Sequence, residues 1–411
     1  MSHRISARSY VLTLTLALAV SACADSPTAT PLRPSSPNLG VTKFWENLAS
    51  TRWNERATNL LQEHGAPSNG QAWASRMLTY LSIAQYRAAL AATAPENRRT
   101  HPSVSAAVAR ASLIVLSDFF SWKPGAAAGL ESQLVADRST PGWPGEQNQD
   151  VAAGEAIGVA VAQAVLAEAR ADGYLSVAAP DVDGAWIPSG AIGRSLWGAT
   201  PFFIDPDAVY EIEPEDITFV SQPPSLGSPE FTAALDELRA ITGTSTMVGS
   251  RTPEQLALAH FWNKSPPAGP FTAGDWNRIT VEVIESNHRK EVEAARILAY
   301  ANAAAFDAQI ACFAAKFAFW VPRPTHVDPT LAVAFGPPNH PSYPSAHSCI
   351  STAFAEVLAK MLPSERRQLE TLVVESGMSR VYAGIHYRFD VEAGQQVGRF
   401  AAAAALAGSL E

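Results

Sequence analysis

The stretch IACFAAKFAFWVPRP, residues 310–324, closes an alanine-rich run that begins near Asp275. Asp275 is a suitable N-cap and Pro322 cannot continue a helix, so the pattern predicts one long helix over 275–319. Two cations, Lys316 and Arg323, lie where this apolar helix ends. The stretch therefore predicts a helix whose C-terminal end carries polar residues into an otherwise apolar region.

Helical periodicity extends along most of the chain. Apolar residues recur at three- and four-residue spacing over 71–93, 103–122, 150–171 and 253–262. Ser345 can cap a helix that ends near Met361, before Pro363, and a final helix is predicted from about Gly384 to the C-terminus. Alternating β-branched runs are scarce. We expect an all-α, single-domain helical bundle over 41–411, with its active site in a C-terminal core at about 255–411.

One segment departs from this pattern. Residues 179–229 are dense in Pro, Gly and aromatic side chains, which include Trp186, Trp197, Phe202, Phe203 and Tyr210. That much aromatic surface would not stay exposed to water, so the segment is predicted to be a long ordered loop that wraps the helices.

The N-terminus has the features of an export signal. Arg4 and Arg8 precede an apolar stretch at 11–20, which runs into Val20-Ser-Ala-Cys23. This sequence resembles a bacterial lipobox, so we predict a lipoprotein signal peptide at 1–22, lipidation of Cys23 and a Pro/Ser-rich tether at 23–40. The protein would then be exported and held at the cell envelope by a lipid anchor alone. An ordinary signal peptide with a chance cysteine is the alternative.

Composition excludes several classes of protein. The 411 residues carry 30 Lys and Arg against 39 Asp and Glu, a net charge of −9, which argues against binding to nucleic acid. Three cysteines are too few for a disulfide-built scaffold or a four-cysteine zinc site. After the first 25 residues no uncharged apolar run of about 18 residues occurs, which excludes a polytopic membrane protein. Cys312 and Cys349 are predicted either to form a disulfide or to be buried free thiols.

Three short stretches near the C-terminus combine into a candidate anion site. They are 316–324, PSAHS at 344–348 and SRVYAGIHYRFD at 379–390. Each polar residue alone has an ordinary explanation as a helix end, a cap or a surface pair. Together, Lys316, Arg323 and Arg380 would repel a metal cation, and with the helix N-terminus at Ser345 they would hold a tetrahedral oxyanion.

Two histidines add chemistry to this site. His386 offers a ring nitrogen, and Asp390 can fix its tautomer through the other ring N–H. His347 supplies a second imidazole for proton transfer. The residues thus predict a site for phosphate or a similar ion, with one histidine as nucleophile or ligand and the other as acid/base.

The spacings K-x6-R-P, P-S-x-H and S-R-x5-H-x3-D resemble the three-part signature of the type 2 phosphatidic acid phosphatase and vanadium-dependent haloperoxidase superfamily. All three parts occur in the family's order. Further stretches resemble the larger bacterial haloperoxidase-like branch, and the resemblance covers roughly residues 70–408. These stretches are Ser228-Pro-Glu-Phe, Arg251-Thr-Pro-Glu, Phe261-Trp262 and Asp275-Trp-Asn-Arg278.

The resemblance implies a role for each residue of the signature. It implies that the non-bridging oxygens of the bound phosphate or vanadate contact Lys316, Arg323, Ser345, Arg380 and the backbone N–H of Ala346. It implies that His386 attacks phosphorus or coordinates vanadium, that His347 is the general acid/base and that Asp390 supports His386. Ala346 replaces the commoner Gly, and its methyl group is expected to crowd the oxyanion. His340 is a candidate halide residue, because the bromide-oxidising members tend to carry His there, with an ordinary polar loop residue as the alternative. Trp320 is a candidate pocket residue, with core packing as the alternative.

Three functions follow from the same site. The first is a vanadate-containing haloperoxidase that oxidises halide with hydrogen peroxide, which the long helical N-terminal half favours. The second is an envelope acid phosphatase that needs no cofactor and acts on phosphomonoesters through a phosphohistidine. The third is a non-enzymatic lipoprotein that binds oxyanions. The sequence leaves open the halide, the phosphoester and the oligomeric state.

Overall fold

Helices supply the regular structure in the computed structural model, which describes residues 48–67, 70–97, 101–138, 148–174, 199–210 and 214–410. The α-helices are α1 Ala49–His64, α2 Gly70–Thr93, α3 Val104–Phe119, α4 Ala126–Arg138, α5 Asn148–Ala171, α6 Pro229–Thr242, α7 Pro253–Phe261, α8 Phe271–Ser286, α9 Glu291–Phe319, α10 Pro324–Val327, α11 Ala346–Met361, α12 Arg366–Ala383 and α13 Arg388–Ala407. Only isolated β-bridges occur within these ranges. The all-α prediction is confirmed. The domain boundaries remain a prediction.

The core of the bundle is α9, which packs against α2, α11 and α13. Nearly every residue from Ala294 to Phe317 is buried. The helix is apolar on all sides rather than along one stripe, which is the pattern of a helix enclosed by others. Its many alanines let the neighbouring backbones approach closely. The end of α9 consequently delivers Lys316 into the interior rather than to the surface.

Two of the described helices are long and apolar enough to cross a membrane by length and composition. They are 150–171, within α5, and the segment 291–327, which runs from α9 to the end of α10, and the apolar window of the second is completely buried inside the protein. The burial of that window identifies it as part of the core helix α9.

The predicted single helix over 275–319 is wrong. It consists of α8 and α9, separated by 287–290, and Asp275 lies inside α8 rather than at its cap. At the break the Asn287 side-chain amide donates to the Val283 carbonyl, which also accepts the Asn287 backbone N–H, so Asn287 caps the end of α8. His288 follows with a φ of 52°. The turn reverses the chain, so that α8 returns along α9 and contacts it.

The helix that was predicted to begin near Gly384 begins instead at Arg388. Gly384, with a φ of 79°, ends α12, and α13 begins only at Arg388. Glycine adopts this left-handed conformation without the steric penalty of a side chain. His386 therefore lies in the link between α12 and α13, not on one helix with Asp390. No helix was predicted at the positions of α1, α4, α6, α10 or α12.

Close packing of α13 on α11 fixes the start of α11. A Cβ atom at Gly394 would lie 2.5 Å from the Ser345 carbonyl oxygen, and one at Gly398 would lie 2.5 Å from Thr352 Cβ. The two glycines thus allow the helices to approach. In the same contact the Ser345 N–H donates to the Asp390 carbonyl at 2.8 Å. The first turn of α11 is held against the first turn of α13.

The aromatic-rich loop is ordered in its described part. The buried carboxylate of Asp307 on α9 accepts the backbone N–H groups of Phe202 and Phe203 at 2.8 and 2.7 Å. Phe203 stacks on Tyr300. The loop therefore lies on the core helix as predicted. Trp186 and Trp197 lie outside the described residues, as do the predicted signal peptide, Cys23 and the tether.

Candidate active site

Three segments meet around a cavity of about 340 Å³. They are the end of α9, the start of α11, and the end of α12 together with the link that joins α12 to α13. Of the predicted site residues, those that line the cavity are His340, Ala346, His347, Arg380 and His386. Lys316, Arg323, Ser345 and Asp390 are buried, each with an exposed fraction of 0%. The fold brings together residues that lie up to 74 positions apart in the sequence, from Lys316 to Asp390.

The ammonium group of Lys316 is turned toward the loop that precedes α11. Its Nζ donates to the carbonyls of Pro341 and Ser342 at 2.8 Å each, and also to the carbonyl of Pro344. Burial lowers the pKa of Lys316 to about 8. The side chain is therefore a positive charge at neutral pH that also fixes the 341–344 loop.

Arg323, His386 and Asp390 form a continuous hydrogen-bonded chain. The Arg323 Nη1 donates to His386 Nε2 at 2.8 Å, and His386 Nδ1 lies 2.8 Å from Asp390 Oδ2. Because a guanidinium can only donate, Nε2 must be the acceptor, and the ring proton lies on Nδ1 and is donated to Asp390. Burial and the charge of Arg323 hold the pKa of His386 well below its ordinary value. His386 is consequently a neutral imidazole with its lone pair on Nε2.

Asp390 is held by more than the histidine. Its Oδ2 also accepts from Ser342 Oγ at 2.6 Å and from the Tyr387 N–H at 3.1 Å. Burial raises the pKa of Asp390 to about 6, so the carboxylate is ionised at neutral pH. The predicted pairing of His386 with Asp390 is thus present in the structure, although the two residues do not share a helix.

Backbone and amide oxygens hold the guanidinium groups of Arg380 and Arg323. Arg380 donates to the Ala259 carbonyl at 2.9 Å and to Asn263 Oδ1 at 3.2 Å. Arg323 donates through Nε to the His340 carbonyl at 2.9 Å. Burial lowers the pKa of Arg323 to about 10 and that of Arg380 to about 9, so both remain charged at neutral pH.

The start of α11 is an uncapped helix N-terminus. Ser345 occupies the N-cap position, but its hydroxyl accepts no backbone N–H, which corrects the prediction that it caps the helix. Within the described part of the chain the buried Ser345 Oγ has no hydrogen-bond partner. The first N–H groups of any α-helix lack intrahelical acceptors. A buried hydroxyl and uncapped N–H groups at one helix start fit an oxyanion.

His347 is held by α7 and α8. Its Nε2 lies 2.9 Å from the Trp262 carbonyl and 3.0 Å from Thr272 Oγ1. A carbonyl only accepts, so the proton lies on Nε2 and Nδ1 carries the lone pair. Burial and the positive charge of Arg380 hold the pKa of His347 well below its ordinary value. The neutral ring therefore presents Nδ1 as its basic nitrogen.

The two additional candidates have different positions. His340 lines the cavity, packs edge-on against Phe313 and accepts at Nδ1 from Arg323 at 2.9 Å. Trp320 does not line this cavity; it is 4% exposed, ends α9 in a left-handed conformation and packs on Phe317. Of the two positions that the sequence left open for Trp320, the structure contains the one in the core, because the turn that ends α9 directs the ring there.

The two cysteines near the site are buried free thiols. Of the two states that the sequence left open, the structure contains this one. Among the described residues, no cluster of three or more His, Cys, Asp or Glu side chains is placed to hold a metal cation. The donor set instead offers three buried cations, an unpaired hydroxyl and a neutral imidazole, which fits vanadate or phosphate.

Some residues at the site were not found from the sequence. Ser342 orients Asp390, Asn263 orients Arg380 and Thr272 contacts His347. Gln309 lines the cavity two turns before Lys316. Each is a common polar residue in a segment with no motif, so only the tertiary contacts reveal it.

Comparison with known families agrees with this geometry. Residues 295–409 match the model of the PAP2 superfamily. This segment belongs to that superfamily. It contains all of the predicted site residues from Lys316 to Asp390, and the predicted superfamily is confirmed.

Individual relatives match over short segments. The chain is 44% identical over 57 residues to a non-specific acid phosphatase of Salmonella typhi, which is 14% of this chain and 23% of that protein. It is 38% identical over 93 residues to the decaprenylphosphoryl-5-phosphoribose phosphatase of Mycolicibacterium smegmatis, which is 23% of this chain and 49% of that protein. The chain thus spans less than half the length of either relative.

Solved structures resemble the fold over nearly its full length. A bacterial vanadium-dependent iodoperoxidase superposes with a TM-score of 0.71 at 19% identity, covering 90% of this chain and 97% of that one. The apo form of a bacterial vanadium-dependent chloroperoxidase superposes with a TM-score of 0.56 at 13% identity, covering 84% and 96%. The helical fold, including its N-terminal half, is therefore that of these structures.

Proposed function

We propose that the protein is a vanadium-dependent haloperoxidase that binds vanadate and oxidises halide with hydrogen peroxide. The observation that carries the proposal is the neutral His386, whose Nε2 lone pair lies among buried cations and whose tautomer is fixed by Asp390. The likeness of the whole fold to vanadium-dependent iodo- and chloroperoxidases supports this activity over a phosphatase.

The chain's residues would divide the work of binding. Lys316, Arg323 and Arg380 would neutralise the oxyanion charge, and Ser345 Oγ with the first N–H groups of α11 would bind its oxygens. His386 would be the ligand through Nε2. To bind vanadate, Nε2 must give up the hydrogen bond that it accepts from Arg323 Nη1. That N–H group then becomes free to donate to the oxyanion. When bound, vanadate supplies the Lewis acid that activates peroxide.

His347 would move protons at the cavity. Its Nδ1 lone pair can accept a proton from peroxide, while the Trp262 carbonyl holds Nε2–H and the ring orientation. Burial and the nearby charge of Arg380 disfavour a positive charge on the His347 ring. The proton would therefore be released again readily, as a turnover cycle requires. His340, which also lines the cavity, is the candidate for contact with the halide.

A second candidate is a metal-independent acid phosphatase. The observation that favours it is the 44% identity over 57 residues to a non-specific acid phosphatase. Here His386 Nε2 would attack phosphorus while the bond from phosphorus to the alcohol oxygen breaks, and the alcohol would take the proton that His347 Nδ1 has first bound from solvent. Water, losing a proton to His347 Nδ1, would then release phosphate from His386. A third candidate, an oxyanion-binding protein without turnover, would bind through the same cations.

One divided sample separates these candidates. One half of the purified protein is loaded with orthovanadate and assayed for bromide and iodide oxidation by peroxide, and the other half is assayed for phosphomonoester hydrolysis. Halide oxidation that needs vanadate supports the proposal. Hydrolysis without halide oxidation establishes the phosphatase, and binding with neither activity establishes the third candidate.

Two histidine variants test the roles at the site. His386→Ala should lose most vanadate affinity, because only charge then holds the ion. His347→Ala should keep most affinity while turnover falls by roughly 10²–10⁴-fold. His64→Ala, at the end of α1, is the control. Equal loss of vanadate affinity in the two site variants, measured by calorimetry, would contradict these roles.

The envelope location is a separate proposal. It is supported by the sequence Val20-Ser-Ala-Cys23 after a basic and then an apolar segment. Cys23→Ser should release the protein from the membrane fraction or leave the precursor uncleaved. An unmodified mature N-terminus at another residue, found by mass spectrometry, would refute the lipid anchor.

A further inference from the structure

The cavity beside the oxyanion residues is larger than a halide or a phosphate group requires. Its volume of about 340 Å³ lies within the range of pockets that bind organic molecules. Much of its wall is apolar and aromatic, formed by Trp262, Phe271, Phe313, Phe335 and Ile350. An aromatic wall of this kind favours a flat apolar body over a free ion.

Gln309 is the unusual polar residue of this wall. It lies on the core helix α9 and has an exposed fraction of 0%. Among the residues that the structure describes, neither its Nε2 nor its Oε1 has a hydrogen-bond partner. A buried amide without partners costs about 1–3 kcal/mol of stability for each unmade bond. The mechanism above does not use it.

A second donor in the same cavity is also unused. The Nε1–H of Trp262 is buried and has no acceptor within the described ranges. Gln71, by contrast, lines the cavity with its amide engaged, because its Oε1 accepts the Thr272 N–H at 2.8 Å. The cavity thus contains one glutamine with a structural role and one with none.

We infer that Gln309 binds substrate, and that the cavity accepts an aromatic organic molecule through an uncharged hydroxyl group. A hydroxyl is a small group that accepts a bond from Nε2–H and donates one to Oε1, so it satisfies both atoms at once. Because Gln309 carries no charge, a neutral hydroxyl loses less solvation beside it than a charged group would. The cations hold the oxyanion, and Gln309 would select the organic partner.

This inference concerns binding and does not depend on whether the enzyme is a haloperoxidase or a phosphatase. The test therefore uses the full chain without vanadate, peroxide or phosphoester. The probes are 2-naphthol and naphthalene, which share the ring system and differ only by the hydroxyl. Equilibrium dialysis at pH 6.5, where the hydroxyl is neutral, gives both affinities.

Gln309→Met replaces the amide with an apolar side chain of similar length. It should weaken 2-naphthol binding about fivefold to tenfold, the effect of one or two hydrogen bonds, and leave naphthalene affinity nearly unchanged. The same variant should raise the urea midpoint of unfolding, because an unpaired buried amide is removed. Gln71→Met is the matched control, and it should lower the midpoint because it leaves the Thr272 N–H unpaired.

Three results would overturn the inference. One is an equal change in affinity for both probes in Gln309→Met. Another is a lower urea midpoint for that variant, which would show that the amide has a structural role. The third is no saturable binding of 2-naphthol to the unmodified protein.

Discussion

Replacing Lys316 by methionine should change how the stability of the protein depends on pH. The Lys316 ammonium is fully buried, and its donors are engaged by the carbonyls of the 341–344 loop. Burial lowers its pKa from 10.5 to about 8 in the folded protein, while the unfolded chain keeps the ordinary value. Between these two values the unfolded chain binds a proton that the folded protein does not. The free energy of unfolding therefore rises with pH over this interval.

The size of the effect follows from the shift. Each pH unit between the two pKa values contributes about 1.4 kcal/mol, so the gain from pH 7 to pH 10, of which two units lie above pH 8, is about 2.5 kcal/mol. Lys316→Met lacks this contribution. The stability of the wild type relative to the variant should thus increase by about 2.5 kcal/mol between pH 7 and pH 10, since groups that do not interact with Lys316 cancel in the comparison.

Urea unfolding followed by circular dichroism at both pH values measures this difference. Lys360→Met, which removes an exposed ammonium from the last turn of α11, is the control and should show no such pH dependence. Saturating sulfate should reduce the effect in the wild type, because an anion beside the ammonium raises its pKa. A wild-type-to-variant difference that is the same at pH 7 and pH 10 would refute the reasoning, since the carbonyl contacts would then offset the burial of the charge.

Three further outcomes are expected. Gly394→Ala should destabilise the fold by about 1–3 kcal/mol and weaken oxyanion binding, because its Cβ would lie 2.5 Å from the carbonyl oxygen at the start of α11; Gly336→Ala, which meets nothing within 4 Å, should do neither, and equal urea midpoints would contradict this. Asp390→Asn should lower vanadate affinity or turnover about 10- to 100-fold by losing the fixed ring tautomer, with ¹⁵N shifts of the imidazole as the independent readout. A thiol reagent should modify Cys312 and Cys349 only after unfolding, and a disulfide in the folded protein would contradict the free thiols.

Much of the site could be predicted from the sequence because its chemistry depends on residue types at short, fixed spacings. The residue types around Lys316, His347 and His386 supply charged and hydrogen-bonding groups that can be read without knowledge of the fold. Their combination predicted an anion site, and the structure places His347 and His386 on the wall of one cavity and buries Lys316 against the loop before α11. The superfamily was recognisable for the same reason, and the comparisons confirm it.

The helix boundaries were harder to predict because local breaks depend on competing hydrogen bonds. Asn287 caps the end of α8 through a side-chain bond that hydrophobic periodicity does not register. Gly384 ends one helix instead of beginning the next, because in its left-handed conformation its backbone N–H bonds to the Arg380 and Val381 carbonyls of α12. A hydrophobic pattern alone does not show whether such a residue ends one helix or begins the next.

The sequence by itself determined the helical class, the superfamily of the C-terminal segment and the identity of the charged and imidazole groups, because these follow from composition and local spacing. Tertiary structure alone decided which atoms act. It set the ring proton of His386 on Nδ1, left the Ser345 hydroxyl unpaired, turned Trp320 into the core and placed the unpaired Gln309 on the cavity wall. Hydrogen-bond partners from distant segments fix a tautomer or leave a polar group unpaired, and such partners meet only when the helices pack.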